Sequence, residues 1–133
     1  MRYPDPMTTT TTLAERLTAV RARIAQACLD AGRDPSEVTL VGVSKTHPVE
    51  AVAEAVEAGL FDLGENWAQE LVPKAEGAAA LGLKPRWHFI GHLQRNKVRD
   101  VIPHIASLHS LDSERLADEL EHRLAQLDLA PLE

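Results

Sequence analysis

The chain has 133 residues, enough for one ordinary domain with a single core. Apolar residues make up 44%, charged residues 26%, and the net charge is −6, a balance that points away from nucleic acid and membrane surfaces as partners. A single cysteine, Cys28, excludes an internal disulfide framework and fits a reducing cytoplasm, and no apolar segment approaches the roughly 20 residues a membrane helix needs.

Residues 1–11, "MRYPDPMTTTT", hold two prolines and a threonine run without the hydrophobic core of a signal peptide, and read as a disordered tail in which Met7 is an alternative start. From there to the C-terminus, residues 12–133 read as one domain. Leu13, Leu17, Val20, Ile24 and Cys28 recur at three- and four-residue steps, predicting a helix over about 12–31 that stops at Gly32. After the loop "RDPSE", the run "VTLVGVS" (38–44) predicts a strand covered on both faces. Pro48 opens a helix that runs to Gly59. A short strand "LFDLG" (60–64) precedes a helix over about 65–81. Then follow "RWHFIGH" (86–92) as strand, "QRNKVRDVIPHI" (94–105) as helix, "SLHSL" (107–111) as strand, and "DSERLADELEHRLAQL" (112–127) as a helix capped by Asp112 or Ser113.

The order is one helix followed by four βα units, which predicts an α/β fold with parallel strands joined by helical crossovers. Such sheets gather working residues at the carboxyl ends of their strands. Those ends carry Ser44-Lys45, Gly64-Glu65-Asn66, Gly91-His92 after His88, and His109-Ser110. An amine, an amide, imidazoles and a hydroxyl together point to a site.

Lysine at a buried strand end is chemically useful. Burial disfavours the charged form of an amine, and a neutral amine attacks aldehydes. Helix N-termini around the same mouth favour an anion such as phosphate. An aldehyde bearing a phosphate suits both features, with pyridoxal phosphate the obvious candidate; the alternative is a surface lysine ending a strand.

Other patterns carry less. His88 and His92 have a metal-like spacing on a helix, but on a strand they stand about 13 Å apart at roughly 3.3 Å per residue, and no metal is expected. His47, His104 and His122 are assigned nothing. The basic residues of "QRNKVRD" predict a solvated helix face. Glu65 is expected to open a helix, Trp67 and Trp87 to pack in the core, and Cys28 to be inert packing.

"LVGVSKTHPVEAVAEAVEAG", "DLGENWAQELVPKAE", "WHFIGHLQRNK" and "LHSLDS" resemble the pyridoxal phosphate homeostasis protein family, also called the proline synthase co-transcribed family. The resemblance spans about 13–130. It implies a fold similar to the alanine racemase N-terminal domain, a fold-type III (β/α)8 barrel of which this chain supplies the first half. It also implies that Lys45 carries pyridoxal 5'-phosphate as a Schiff base, with Asn66, His88 and Ser110 lining the pocket. Arg95 departs from the serine or threonine usual in the family's "LQ-[ST]-NK". The phosphate-cradling loops and the arginine facing the pyridine nitrogen belong to the half that is not in this sequence.

Three functions follow as expectations. The first is a non-catalytic protein that holds pyridoxal phosphate and hands it to apo-enzymes. The second is a racemase-like amino-acid enzyme, against which counts the lack of any tyrosine except Tyr3. The third is a half-barrel that does not bind the cofactor tightly. A half-barrel has open strand edges that invite self-association, and the chain reads equally as a fragment, a truncation, or a half that completes itself by pairing.

Overall fold

The computed structural model describes residues 11–133, so the expected disordered tail lies outside the described residues except for Thr11. The chain forms two compact units divided between Leu40 and Val41.

The first unit holds helix α1, Leu13–Ala31, and a single 3-10 turn at Pro35–Glu37. Thr12 and Glu15 form a capping box: the threonine hydroxyl accepts from the Glu15 amide, and the glutamate accepts from the Thr12 amide. At the other end Gly32 adopts φ 66°, which lets its amide reach back to helix carbonyls. Leu17 and Cys28 of the apolar stripe are buried, whereas Val20 is exposed.

The second unit alternates strands and helices: β1 (Gly42–Val43), α2 (Val49–Glu57), β2 (Asp62–Glu65), α3 (Ala68–Ala80), β3 (Arg86–Phe89), α4 (Val98–Val101), β4 (Ile105–Leu108) and α5 (Glu114–Gln126). The four strands form one parallel sheet in the order β1-β2-β3-β4, the α/β arrangement expected. Val52, Leu71, Val98 and Leu116, one from each of α2 to α5, are fully or almost fully buried.

The register fixes which side chains share a face, since partners in a parallel ladder point the same way. Leu63 lies opposite Trp87, and Glu65 opposite Phe89; these four alternate with Asp62 and Gly64, which lie opposite Arg86 and His88. The Glu65 side chain meets Lys74 of α3, so the Leu63–Trp87–Phe89 face is the one turned to the helices. The other face carries Asp62, His88 and Val43, the last of these half-exposed.

Several boundaries differ from expectation: β2 runs Asp62–Glu65 rather than 60–64, β3 ends at Phe89 rather than residue 92, and the other differences have a physical reason. β1 covers two residues rather than seven because its ladder partner is β2 alone, which pairs at Leu63 and Gly64. The fourth helix is a 3-10 turn, Arg95–Lys97, followed by one α-turn to Val101. Ile102 caps that turn, and Pro103, which has no amide hydrogen to donate, comes next. The chain therefore enters β4 two residues early, with Ile105 opposite Trp87, and leaves His109 and Ser110 beyond the strand. Asn66 and Trp67 delay α3 to Ala68, and Trp67 is half-exposed rather than in the core; Trp87 is buried as expected.

The outer edge of β4 is not bare. The Glu133 amide donates to the Ala106 carbonyl at 3.2 Å, and the Leu108 amide donates to the Glu133 carbonyl at 2.8 Å. These two bonds hold Glu133 against β4 in the slanted pattern of a parallel pair.

Candidate functional site

The carboxyl end of β1 turns sharply. The His47 amide donates to the Ser44 carbonyl at 3.0 Å, closing a four-residue turn with Lys45 and Thr46 at its centre. Thr46 has φ 67°, a left-handed conformation that is uncommon for a β-branched residue. Lys45 is exposed, so the burial expected of it is not supplied by this chain. Among the described residues its amine has no hydrogen-bond or ion-pair partner.

A buried polar network holds this turn. Lys74 of α3 donates from Nζ to the Ser44 carbonyl at 2.8 Å, to Glu65 Oε1 at 2.5 Å and to Glu70 Oε1 at 3.0 Å, which uses all three ammonium hydrogens. Ser44 donates its hydroxyl to Glu65 Oε1 at 2.7 Å, and its amide donates to the Gly64 carbonyl. Glu70 also accepts the Thr46 amide through Oε1. Burial would raise the Glu70 pKa, yet the hydrogen bonds from Lys74 and the Thr46 amide, with the positive charges of Lys74 and His47, leave it below its ordinary value of 4.5. Glu65 is wholly inaccessible to solvent. It was expected to open a helix; instead it ends β2 and anchors Lys74.

At the ends of β2, β3 and β4 a second cluster forms. Ser110 donates its hydroxyl to the Gly91 carbonyl at 2.5 Å. Gly91 lies so close to Asn66 that a Cβ built on it would stand 2.2 Å from the Asn66 carbonyl oxygen, so this crossing needs glycine. Asn66 Oδ1 is buried without a hydrogen-bond partner. Beside Asn66 a cleft of about 380 Å³ opens between the start of α3 and the loop after β3, lined by Gln69, His92, Gln94 and Lys97 among others.

His88 is buried on the face away from the helices. Its Nε2 lies 2.8 Å from Asp62 Oδ1, and its Nδ1 lies 2.9 Å from His109 Nε2. The carboxylate can only accept, so His88 Nε2 carries a proton. With one proton per ring, His88 Nδ1 then accepts from His109 Nε2–H, which leaves His109 Nδ1 as the open acceptor.

The topology thus brings all four predicted residues to the carboxyl edge of one sheet. Asn66 and Ser110 meet through Gly91. His88 joins His109 rather than either of them, and Lys45 stands at the β1 end. The sequence reading missed Glu70, Lys74 and Asp62. Glu70 and Lys74 could have been flagged as an acid–base pair one helical turn apart; no local signal marked Asp62, which meets His88 only across two paired strands. His92 lies 3.5 Å from Asp112, both exposed, while Ser113 caps α5. Among the described residues no three His, Cys, Asp or Glu side chains group as a metal site would require.

No protein-family model matches the chain. Curated relatives do. The chain is 46% identical over 112 residues to the pyridoxal phosphate homeostasis protein of Pseudomonas aeruginosa, covering 84% of this chain and 48% of that protein. It is 44% identical over 117 residues to the protein of the same name from Escherichia coli K12, covering 86% and 50%. Among solved structures it is similar to PipY of Synechococcus elongatus with pyridoxal phosphate bound, with a TM-score of 0.74 and 36% identity over 86% of this chain and 49% of that one. The chain spans about half the length of the curated relatives it matches. Over that half, the chain is similar to the pyridoxal phosphate homeostasis protein family.

Proposed function

We propose that this chain binds pyridoxal 5'-phosphate at the carboxyl edge of its sheet, through the Lys45 amine, and serves cofactor homeostasis without catalysing a reaction of its own. The observation that carries the reading is the Lys45 turn: an exposed, unpaired primary amine whose flanking backbone is held by Lys74 and Glu70. Asn66 supports it, because its buried Oδ1 lacks a partner that a ligand donor would supply.

Pyridoxal phosphate supplies an electrophilic aldehyde, a pyridine ring and a phosphate. Lys45 is the nucleophile for the aldehyde, and Asn66 offers an amide to a polar ring substituent. His88 has both ring nitrogens engaged by Asp62 and His109, so its part is to hold His109 and fix which nitrogen bears the proton. Ser110 directs its proton to Gly91 and retains only lone pairs for a ligand. Transfer of the cofactor to apo-enzymes, a cytoplasmic location, and residues 12–133 as one partial barrel domain belong to the same proposal. So does self-association through the sheet's outer edges, for which β1, an edge strand paired with β2 alone, is the support. Among the described residues no helix is long and apolar enough to cross a membrane.

A second reading is a half-barrel that does not bind the cofactor tightly. The exposure of Lys45 favours it, since burial would otherwise bring the amine to its reactive neutral form.

One experiment separates the two. The purified chain is titrated with pyridoxal phosphate, reduced with borohydride, and mapped by peptide mass spectrometry beside Lys45→Ala. A saturable adduct confined to Lys45 and absent from the variant is expected. Weak label scattered over several lysines would overturn the binding reading in favour of the half-barrel one.

A further inference from the structure

The turn that presents Lys45 is under local strain and is gripped from one helix. Thr46 sits at φ 67°, where a β-branched side chain crowds its own backbone, and glycine or asparagine would be usual. Nothing in the turn's own sequence favours that conformation. It persists because the groups on either side of Lys45 are taken by α3: the Ser44 carbonyl by Lys74 Nζ at 2.8 Å, and the Thr46 amide by Glu70 Oε1. Glu70 and Lys74 are joined at 3.0 Å, and Lys74 is moored to the fully buried Glu65 at 2.5 Å. A strained conformation of this kind survives only where its surroundings over-determine it.

We propose that Glu70 and Lys74 are positioning residues that hold the Lys45 backbone between them, so that the amine is presented from a fixed point at the mouth of the sheet. The ion pair is a clamp on the Ser44 carbonyl and the Thr46 amide, one bond on each side of the nucleophile. The clamp itself is a property of the free protein; its consequence for reactivity rests on the cofactor reading above.

The test uses Glu70→Ala and Glu70→Gln, because Glu70 is only partly buried and its loss leaves Lys74 paired with Glu65. In Glu70→Gln the side-chain carbonyl oxygen still accepts the Thr46 amide; in Glu70→Ala no acceptor remains. Two quantities are read: hydrogen-exchange protection and 15N order parameters of the Lys45 and Thr46 amides without cofactor, and the share of borohydride-fixed pyridoxal phosphate on Lys45 relative to Lys84 and Lys97. In Glu70→Ala, Thr46 protection should fall about tenfold, as expected for one lost bond to a charged group. Lys45 should become more mobile and lose its preference for label, while Glu70→Gln retains most of both. Unchanged protection and order in Glu70→Ala would overturn the clamp. Lost protection with Lys45 labelling intact would reduce it to a structural contact and overturn positioning. If the unmutated chain labels no lysine selectively, the cofactor reading fails; the clamp is then decided by the amide measurements alone.

Discussion

His88 Nδ1 lies 2.9 Å from His109 Nε2, with the two rings at 63° and Asp62 2.8 Å from the far nitrogen of His88. The three groups come from β2, β3 and the end of β4, and the chain of bonds runs across the sheet. Its direction is set at the buried end, where a carboxylate accepts, and ends at a nitrogen lone pair on exposed His109.

That direction can be reversed. In Asp62→Asn the side-chain amide can donate to His88 Nε2, which would move the His88 proton to Nδ1 and the His109 proton from Nε2 to Nδ1, so that His109 Nε2 becomes the acceptor. Long-range 15N–13C correlation should find the Nε2–H form of His88 in the unmutated chain and a changed distribution in the variant. An Nδ1–H His88 in the unmutated chain would contradict the assignment.

The buried pair Glu65–Lys74 should behave as a unit. Lys74→Met leaves the Glu65 carboxylate inaccessible to water and held by Ser44 alone, a loss of about 3–5 kcal/mol. Glu65→Leu combined with Lys74→Met removes both charges and should cost clearly less than the sum of the two single changes. Denaturant unfolding of the four proteins gives the coupling, and strictly additive values would mean that the two side chains do not depend on one another.

Glu70 makes the clamp acid-sensitive. Its pKa in the folded chain is lowered, so its contribution to stability is complete above the ordinary value of 4.5 and is lost as pH falls from there through the lower folded value. Stability measured from pH 7 downward should drop more steeply below about pH 4.5 in the unmutated chain than in Glu70→Gln. Parallel curves would refute a stabilising Glu70 carboxylate.

Two glycines should respond in opposite senses. Gly91→Ala sets a methyl group against the Asn66 carbonyl and should destabilise by about 1–3 kcal/mol, with shifted Asn66 resonances. Gly77→Ala lies inside α3, where the added methyl meets Val49 at an ordinary 3.4 Å, and should stabilise by about 0.5–1 kcal/mol. Equal responses would show that the Gly91 crossing is looser than described.

Much of the fold was legible because it rests on local rules. Apolar periodicity located the helices, Gly32 ended α1, Ser113 was one of two residues named to cap α5, and the alternation of strand and helix implied a parallel sheet whose carboxyl ends hold Lys45, Asn66, His88 and Ser110. The motifs around those residues also carried the family resemblance that the relatives bear out. What only the tertiary structure decided is how side chains from separate elements satisfy one another. Glu65 read as a helix-opening carboxylate because nothing near it in sequence reveals a lysine waiting nine residues on across a helix turn and a strand end. Asp62 drew no role, and His109 was named as a strand-end imidazole without a partner, because their meeting with His88 depends on parallel register and on the bulge between β3 and β4. Exposure was decided there too: the strand end expected to bury Lys45 is an edge of two paired residues, and an edge strand with one neighbour leaves its turn in water.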